Sequence, residues 1–191
     1  MAPNQDQQSR WLLISYTASQ LLQAETYGVG GYSSRPLHLV SIPRDGLAAL
    51  PAFPVDDRCA VLVLWDATDQ APETIAALAR VLLSRGAVYL CAWGPDCERV
   101  HDIFDEVLVG SDPPHTEFPD FVMTTWHAND PLEEALWYLL FSTIPDDVVA
   151  EACRDAVVVS IGNEAWSEEA RVALRNPGAI SERILSRGDA V

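Results

Sequence analysis

Residues 60–65 read AVLVLW and residues Ala87–Trp93 read AVYLCAW, and both runs are apolar at every position. The runs LHLVSI at residues 37–42 and AVVVSI at residues 156–161 are apolar at nearly every position. A strand with one solvated face alternates apolar and polar residues, whereas a strand covered on both faces is apolar throughout. These four runs therefore predict the inner strands of a parallel sheet. FVMTTW at residues 121–126 and WLLISY at residues 11–16 are the remaining strand candidates.

Helical spacing of apolar residues separates the predicted strands. The first predicted helix begins at Pro72 and ends at Gly86, and the second runs from Pro95 or Asp96 to Gly110. The third begins with a capping box at Asp130 and ends before Pro145. The fourth begins near Ser167, and a short fifth spans residues 180–187. Strands that alternate with helices in this way predict an α/β fold. We expect an open, mostly parallel sheet of the Rossmann-like or flavodoxin-like type, with right-handed connections that place helices on both faces.

The length of 191 residues predicts a single α/β domain over residues 1–191, with residues 1–9 as a disordered tail. The formal net charge is −16, from 28 carboxylates against 12 basic residues. Such a charge repels the phosphates of nucleic acids and the anionic surface of a membrane, so we expect neither as a partner. A small molecule or a basic protein is the expected partner, and the sequence does not determine the oligomeric state.

Lysine is absent from the chain, since all 12 basic residues are arginine. Codon bias in a GC-rich genome is the simpler explanation of this absence. The absence nevertheless excludes Schiff-base chemistry and a phosphate-loop lysine, and with them pyridoxal-phosphate enzymes and ordinary P-loop NTPases. The glycine-rich residues 28–31 (GVGG) follow a segment interpreted as a helix, so they do not match the dinucleotide-binding fingerprint. We expect no cofactor.

The first residues carry no basic segment, and the apolar run at residues 11–16 is too short for a secretory signal. The four cysteines include no CxxC pair, which favours reduced thiols. Together these features predict a cytoplasmic protein.

Ligands of open α/β sheets bind at the carboxyl ends of the strands, so the residues that follow the predicted strands are the candidate ligand-binding residues. Tryptophans end three of these strands, and their rings suit stacking on a small planar ligand or on a side chain of a partner. Arg99, in the first turn after Gly94, is placed to assist an anion. The candidates are Trp65, Asp66, Trp93, Gly94, Arg99, Trp126, His127 and Asn163.

A second group of residues suggests nucleophilic catalysis. Cys97 and His101 are four residues apart and share one face of the second predicted helix. Cys97 lies at the edge of the apolar stripe, and His101 lies beyond that edge, nearer to solvent. A thiol in the first turn of a helix has a lowered pKa, so Cys97 with His101 or His127 as base predicts a hydrolase or transferase. The same three residues lack the paired spacing of metal ligands, and we expect no metal site.

Two motifs, CAWGPDCERVHD at residues 91–102 and TTWHANDPLEEALW at residues 124–137, resemble an uncharacterised bacterial family of small α/β domains. The resemblance covers roughly residues 59–162. It implies a bacterial, cytoplasmic α/β domain and no particular activity, because no function is attached to that family. The residues that match the family pattern are Cys91, Trp93, Gly94, Cys97, His101, Asp102, Trp126 and His127.

These observations favour a binding or regulatory domain, because polar and aromatic residues gather at predicted strand ends without a complete catalytic set. The first alternative is the enzyme built on Cys97. The second alternative is an acidic protein of the immunity or antitoxin type, because a net charge of −16 accelerates association with a basic partner.

Overall fold

The computed structural model describes residues 23–31, 34–44, 55, 58–110 and 121–188. Six strands of these residues form one sheet. The strands are β1 (Gln23–Gly30), β2 (Arg35–Ile42), β3 (Arg58–Trp65), β4 (Ala87–Trp93), β5 (Met123–His127) and β6 (Cys153–Ile161). The helices within the described ranges are α1 (Pro72–Ser84), α2 (Cys97–Val109), α3 (Leu132–Phe141), α4 (Asp147–Ala150), α5 (Glu164–Arg175) and α6 (Pro177–Gly188).

The strand order is β1-β2-β6-β3-β4-β5. The strands from β2 to β5 in this order pair in parallel, and β1 pairs with β2 in the antiparallel direction at one edge. Every residue of β3 after Arg58 is buried, which is why this central strand is apolar throughout. The predicted open, mostly parallel α/β sheet is confirmed.

Two hydrophobic cores lie on the two faces of the sheet. On the first face, Ile75 of α1 and Phe104 of α2 share a core with Val61 of β3. On the second face, Leu136 of α3 shares a core with Leu62 of β3 and with residues of α5 and α6. Successive side chains of a strand point to opposite faces, so β3 contributes to both cores. Helices therefore cover both faces, as the sequence predicts.

Strand β1 corrects the interpretation of residues 28–31. These residues end an antiparallel edge strand instead of following a helix, and Gly31 has a φ of +78° at the turn into β2. Exposure alternates along the strand, with Glu25 and Tyr27 partly buried and Thr26 exposed, because an edge strand of this kind keeps one solvated face. A second strand follows the glycines, so the strand-to-helix context of a dinucleotide-binding turn is still missing.

Three helices begin elsewhere than predicted. Helix α3 begins at Leu132 after the N-cap residue Pro131, and no side chain caps it, so the capping box predicted at Asp130 is wrong. Helices α5 and α6 begin at Glu164 and Pro177, each three residues earlier than predicted. The strand candidate at residues 11–16 and the tail at residues 1–9 lie outside the described residues.

The two longest helices, α1 and α2, have 13 residues each, and no helix in the described ranges is long and apolar enough to cross a membrane.

Candidate functional site

A pocket opens between the carboxyl ends of β4 and β5. After β4 the chain continues into α2 on the first face of the sheet, and after β5 it continues into α3 on the second face. Open α/β sheets bind ligands in the crevice where two neighbouring strands lead to opposite faces. The cavity has a volume of about 470 Å³. We name it the β4–β5 pocket, and its lining residues are Trp93, Gly94, Pro95, Asp96, Cys97, Glu98, His127, Ala128, Asp130 and Trp166.

Gly94 makes the turn from β4 into α2. Its φ is +117°, a conformation that residues with a side chain rarely adopt, and a Cβ at this position would lie 2.4 Å from the carbonyl oxygen of Trp65. The Cys97 N–H donates to the Gly94 carbonyl at 3.1 Å, and the Ala67 N–H donates to the Pro95 carbonyl at 3.1 Å. These contacts fix the turn against the loop after β3 and hold the first turn of α2 at the pocket.

Two indoles from separate elements form the aromatic part of the pocket. Trp93 ends β4 and Trp166 lies in the first turn of α5, and their rings meet edge to face with centroids 5.1 Å apart. The Trp93 indole N–H donates to the backbone carbonyl of Asp130 at 2.8 Å. The β5–α3 turn thus holds this indole in place, and less conformational entropy is lost when a ligand binds a ring that is already ordered.

His127 and Asp130 contribute a paired imidazole and carboxylate to the pocket lining. His127 Nδ1 and Asp130 Oδ2 are 2.7 Å apart, and since an ionised carboxylate only accepts, Nδ1 donates. The ring of Tyr138 in α3 contacts the imidazole, with centroids 4.7 Å apart. The His127 side chain is only 8% exposed, and its Nε2 has no hydrogen-bond partner among the described residues. Buried nitrogens without a partner are uncommon, so this atom marks a candidate functional position.

Cys97 begins α2 and is 2% exposed. Burial raises the pKa of its thiol, although backbone N–H groups, that of His127 foremost, donate towards the sulfur and oppose this shift. Among the described residues, no hydrogen bond joins the thiol to the imidazole of His101 or His127. Burial, together with the absence of an imidazole hydrogen bond, favours a neutral thiol at Cys97 over the thiolate that nucleophilic catalysis requires.

We expect Cys97 of the native protein to react slowly with iodoacetamide at neutral pH, because alkylation requires the thiolate and the raised pKa reduces its fraction. The measurement is peptide mass spectrometry of the labelled protein over a series of pH values, with the urea-unfolded chain as the control. Native Cys97 that labels at neutral pH as fast as the same residue in the unfolded chain would contradict this assignment.

The predicted ligand-binding residues Trp65 and Asp66 lie outside the pocket lining. Trp65 is 2% exposed and belongs to the core of the first face, because β3 is a central strand that α1 and α2 cover. Asp66 closes a turn in the following loop, where its Oδ1 accepts hydrogen bonds from the hydroxyl and the backbone N–H of Thr68. These hydrogen bonds lower the pKa of the Asp66 carboxyl.

Arg99 also lies outside the pocket lining. Its guanidinium donates to the carbonyls of Ala67 at 2.6 Å and Gln70 at 3.1 Å, and it pairs with Asp96 at 2.6 Å. The side chain therefore fastens the loop after β3 to the start of α2. The anion contact expected for Arg99 stays a prediction.

Trp126 and His101 lie together on the first face and do not line the pocket. Their ring centroids are 4.5 Å apart, and Trp126 is 45% exposed. His101 also contacts Thr124 Oγ1 at 3.1 Å and Asp102 at 3.2 Å. Its side chain is 12% exposed and Cys97 is buried, so His101 lies nearer to solvent than Cys97 as expected, although the Trp126 ring contacts the imidazole. Strand β5 supplies the covering indole, and the periodicity of α2 alone does not reveal it.

The same residues also bear on the question of a metal site. The described part of the chain contains no group of three or more His, Cys, Asp or Glu side chains that could hold a metal ion, so Cys97, His101 and His127 do not form such a group.

Asn163 is the N-cap of α5, and its Oδ1 accepts a hydrogen bond from the Trp166 N–H at 3.2 Å. We expect Asn163→Ala to lower the free energy of unfolding by about 0.5–2 kcal/mol, because the first turn of α5 loses its cap. The exposed Asn129, for which no side-chain hydrogen bond is found within the described ranges, gives the control Asn129→Ala, with an expected change within about 0.5 kcal/mol. Urea unfolding measures both, and equal stabilities would contradict the capping role.

Of the ten lining residues, the sequence predicted four, and it missed Pro95, Asp96, Glu98, Ala128, Asp130 and Trp166. The available signal for Asp130 was its position three residues after His127, between the predicted strand at residues 121–126 and the next helix. Trp166 follows β6, which is separated from β4 by β3. Without the strand order, nothing local to residue 166 indicates that its ring reaches Trp93.

No curated protein matches this chain. The model of one protein family matches residues 37–177, a span from β2 to the start of α6 that includes every lining residue of the β4–β5 pocket. The predicted resemblance to a family without a known function is confirmed at this level, whereas the bacterial setting stays a prediction. The chain belongs to the family described as Domain of unknown function (DUF7684).

Proposed function

We propose that the protein is a binding domain that takes a small planar ligand in the β4–β5 pocket. The observation that carries this proposal is the convergence of Trp93, Trp166 and His127 on one cavity at the carboxyl ends of the parallel strands. A volume of about 470 Å³ lies within the range of small-molecule sites. Planar ligands gain dispersion and electrostatic energy when they stack on indole faces, and this gain does not depend on one hydrogen-bond pattern.

The order of the pocket supports binding further. Trp93 is held by Asp130, His127 by Asp130 and Tyr138, and the start of α5 by the Asn163 cap. A site whose side chains are already fixed loses less conformational entropy when a ligand binds.

The surroundings of Cys97 give the enzyme alternative weaker support. Cys97 lines the pocket, but burial raises the pKa of its thiol, and neither candidate base forms a hydrogen bond to the sulfur through its imidazole in the described structure. The second alternative, an acidic protein that binds a basic partner, depends on the net charge of −16 and stays a prediction.

The test compares two tryptophan variants for binding of adenine, a neutral planar probe, by titration of the full chain. Trp166→Ala removes one aromatic side of the pocket, and we expect it to weaken adenine binding about tenfold to a hundredfold. Trp126→Ala is the matched control, because Trp126 is 45% exposed and does not line the pocket. Binding that is lost in Trp126→Ala and kept in Trp166→Ala would overturn the proposal.

A further inference from the structure

We infer that the ligand of the β4–β5 pocket is a planar cation of the guanidinium or amidinium class. This inference rests on the proposed function and concerns the chemistry of the ligand. Three observations support it: the carboxylates of the lining, the ion pair between Arg99 and Asp96, and the paired indoles of Trp93 and Trp166.

Carboxylates dominate the charge of the pocket. The lining includes Asp96, Glu98 and Asp130, and His127 is its only basic side chain within the described residues. Glu98 is exposed and has no ion-pair partner in the described part of the chain. The Asp130 side chain is 43% exposed although it pairs with His127, so its carboxylate remains accessible. An anionic ligand would approach these groups against their repulsion.

Arg99, which follows Glu98 in α2, offsets this charge only in part. Arg99 pairs with Asp96, and its remaining described contacts are the carbonyls of Ala67 and Gln70. Its charge therefore neutralises one of the three carboxylates and leaves those of Glu98 and Asp130. The net charge of −16 on the whole chain adds a long-range field that attracts cations to the surface.

The indoles favour a cation that is planar and weakly hydrated. A cation is attracted to the electron-rich face of tryptophan, and a delocalised planar cation also stacks on it. Guanidinium and amidinium groups carry parallel N–H donors that match a carboxylate, and they are more weakly hydrated than a compact ammonium group. Trp93 and Trp166 beside Glu98 and Asp130 thus present the two chemical features that such a group recognises.

The experiment uses three probes of nearly the same shape and different charge: benzamidinium, benzamide and benzoate. The full chain is titrated with each at low ionic strength, and the tryptophan fluorescence is followed. We expect benzamidinium to bind about tenfold more tightly than benzamide, and benzoate to bind most weakly. Added salt should weaken the binding of benzamidinium and leave that of benzamide unchanged, because salt screens only the charged pair.

Two substitutions test the carboxylates. Glu98→Gln and Asp130→Asn should each weaken benzamidinium about two- to fivefold without a matching change for benzamide. Glu182→Gln is the control, because Glu182 is exposed on α6 and does not line the pocket. The same titration with a blocked arginine tripeptide identifies the source of the cation: tighter binding than benzamidinium indicates an arginine of a partner protein, and weaker binding indicates a free small molecule.

The outcomes distinguish a failure of the cationic ligand from a failure of the planar-ligand pocket. Equal affinities for benzamidinium and benzamide, or tighter binding of benzoate, would overturn the cationic ligand and leave the planar-ligand pocket standing. Probe affinities that do not change in Trp166→Ala, or no binding of any probe, would overturn the pocket itself.

Discussion

Gly94→Ala is expected to lower the free energy of unfolding by about 2–5 kcal/mol, the sum of a strained backbone and a steric clash. Gly94 has a φ of +117°, and an added Cβ would lie 2.4 Å from the Trp65 carbonyl oxygen. That oxygen belongs to the backbone of the central strand β3, which cannot rotate away as a flexible side chain would. The end of β4 must therefore move, and Trp93 and the first turn of α2 move with it.

Gly28→Ala is the matched control for this prediction. No atom lies within 4 Å of a Cβ built at Gly28, which belongs to the edge strand β1. The expected change is within about 1 kcal/mol, and its sign favours alanine because glycine loses more backbone entropy on folding. Urea unfolding measures the free energy of unfolding of both variants, provided that this free energy falls with urea concentration at the same slope in each. Equal stability of the two would show that the turn after β4 tolerates a side chain, and the close approach to Trp65 would then be wrong.

Phe104→Ala is expected to destabilise the protein by about 3–5 kcal/mol. Phe104 is 1% exposed and lies in the core between α2 and the sheet, among residues of α1, β3 and β4. Its removal costs the transfer free energy of the ring and leaves a cavity that the close-packed strands cannot fill. The measurement is again urea unfolding, with the same dependence of the free energy on urea concentration in the variant and the parent protein.

Val109→Ala on the same helix is the control for Phe104→Ala. Val109 is 85% exposed at the end of α2, so the expected change is within about 0.5 kcal/mol. A loss at Phe104 no larger than the loss at Val109 would contradict the packing of α2 on the first face.

Most of the sheet could be predicted because its inner strands are buried on both faces. β3 is apolar at every residue after Arg58, and β6 is apolar from Ala156 onward except at Ser160. This pattern distinguishes both strands from the amphipathic helices between them. β1 was missed because an antiparallel edge strand lacks that signature. Its sequence QAETYGVG mixes polar, aromatic and glycine residues, and its antiparallel pairing with β2 becomes known only from the fold.

The candidate site could be predicted in part. Trp93, Gly94, Cys97 and His127 follow the neighbouring strands β4 and β5, and the structure brings them to one pocket. Trp65 also ends a strand, but in the centre of the sheet the helices of the first face bury its ring. The position of a residue at a strand end therefore predicts which edge of the sheet it lies on. Whether its side chain lines the crevice depends on strand order and on the helices that cover it.

The most direct test of the account is an NMR titration of the indole N–H signals of the full chain with adenine and with benzamidinium. The pocket predicts that the signals of Trp93 and Trp166 shift together with one dissociation constant for each probe. The signal of Trp126, which lies outside the lining, should stay in place. Shifts at Trp126 with Trp93 and Trp166 unchanged would place binding elsewhere on the molecule and contradict the β4–β5 pocket as its ligand site.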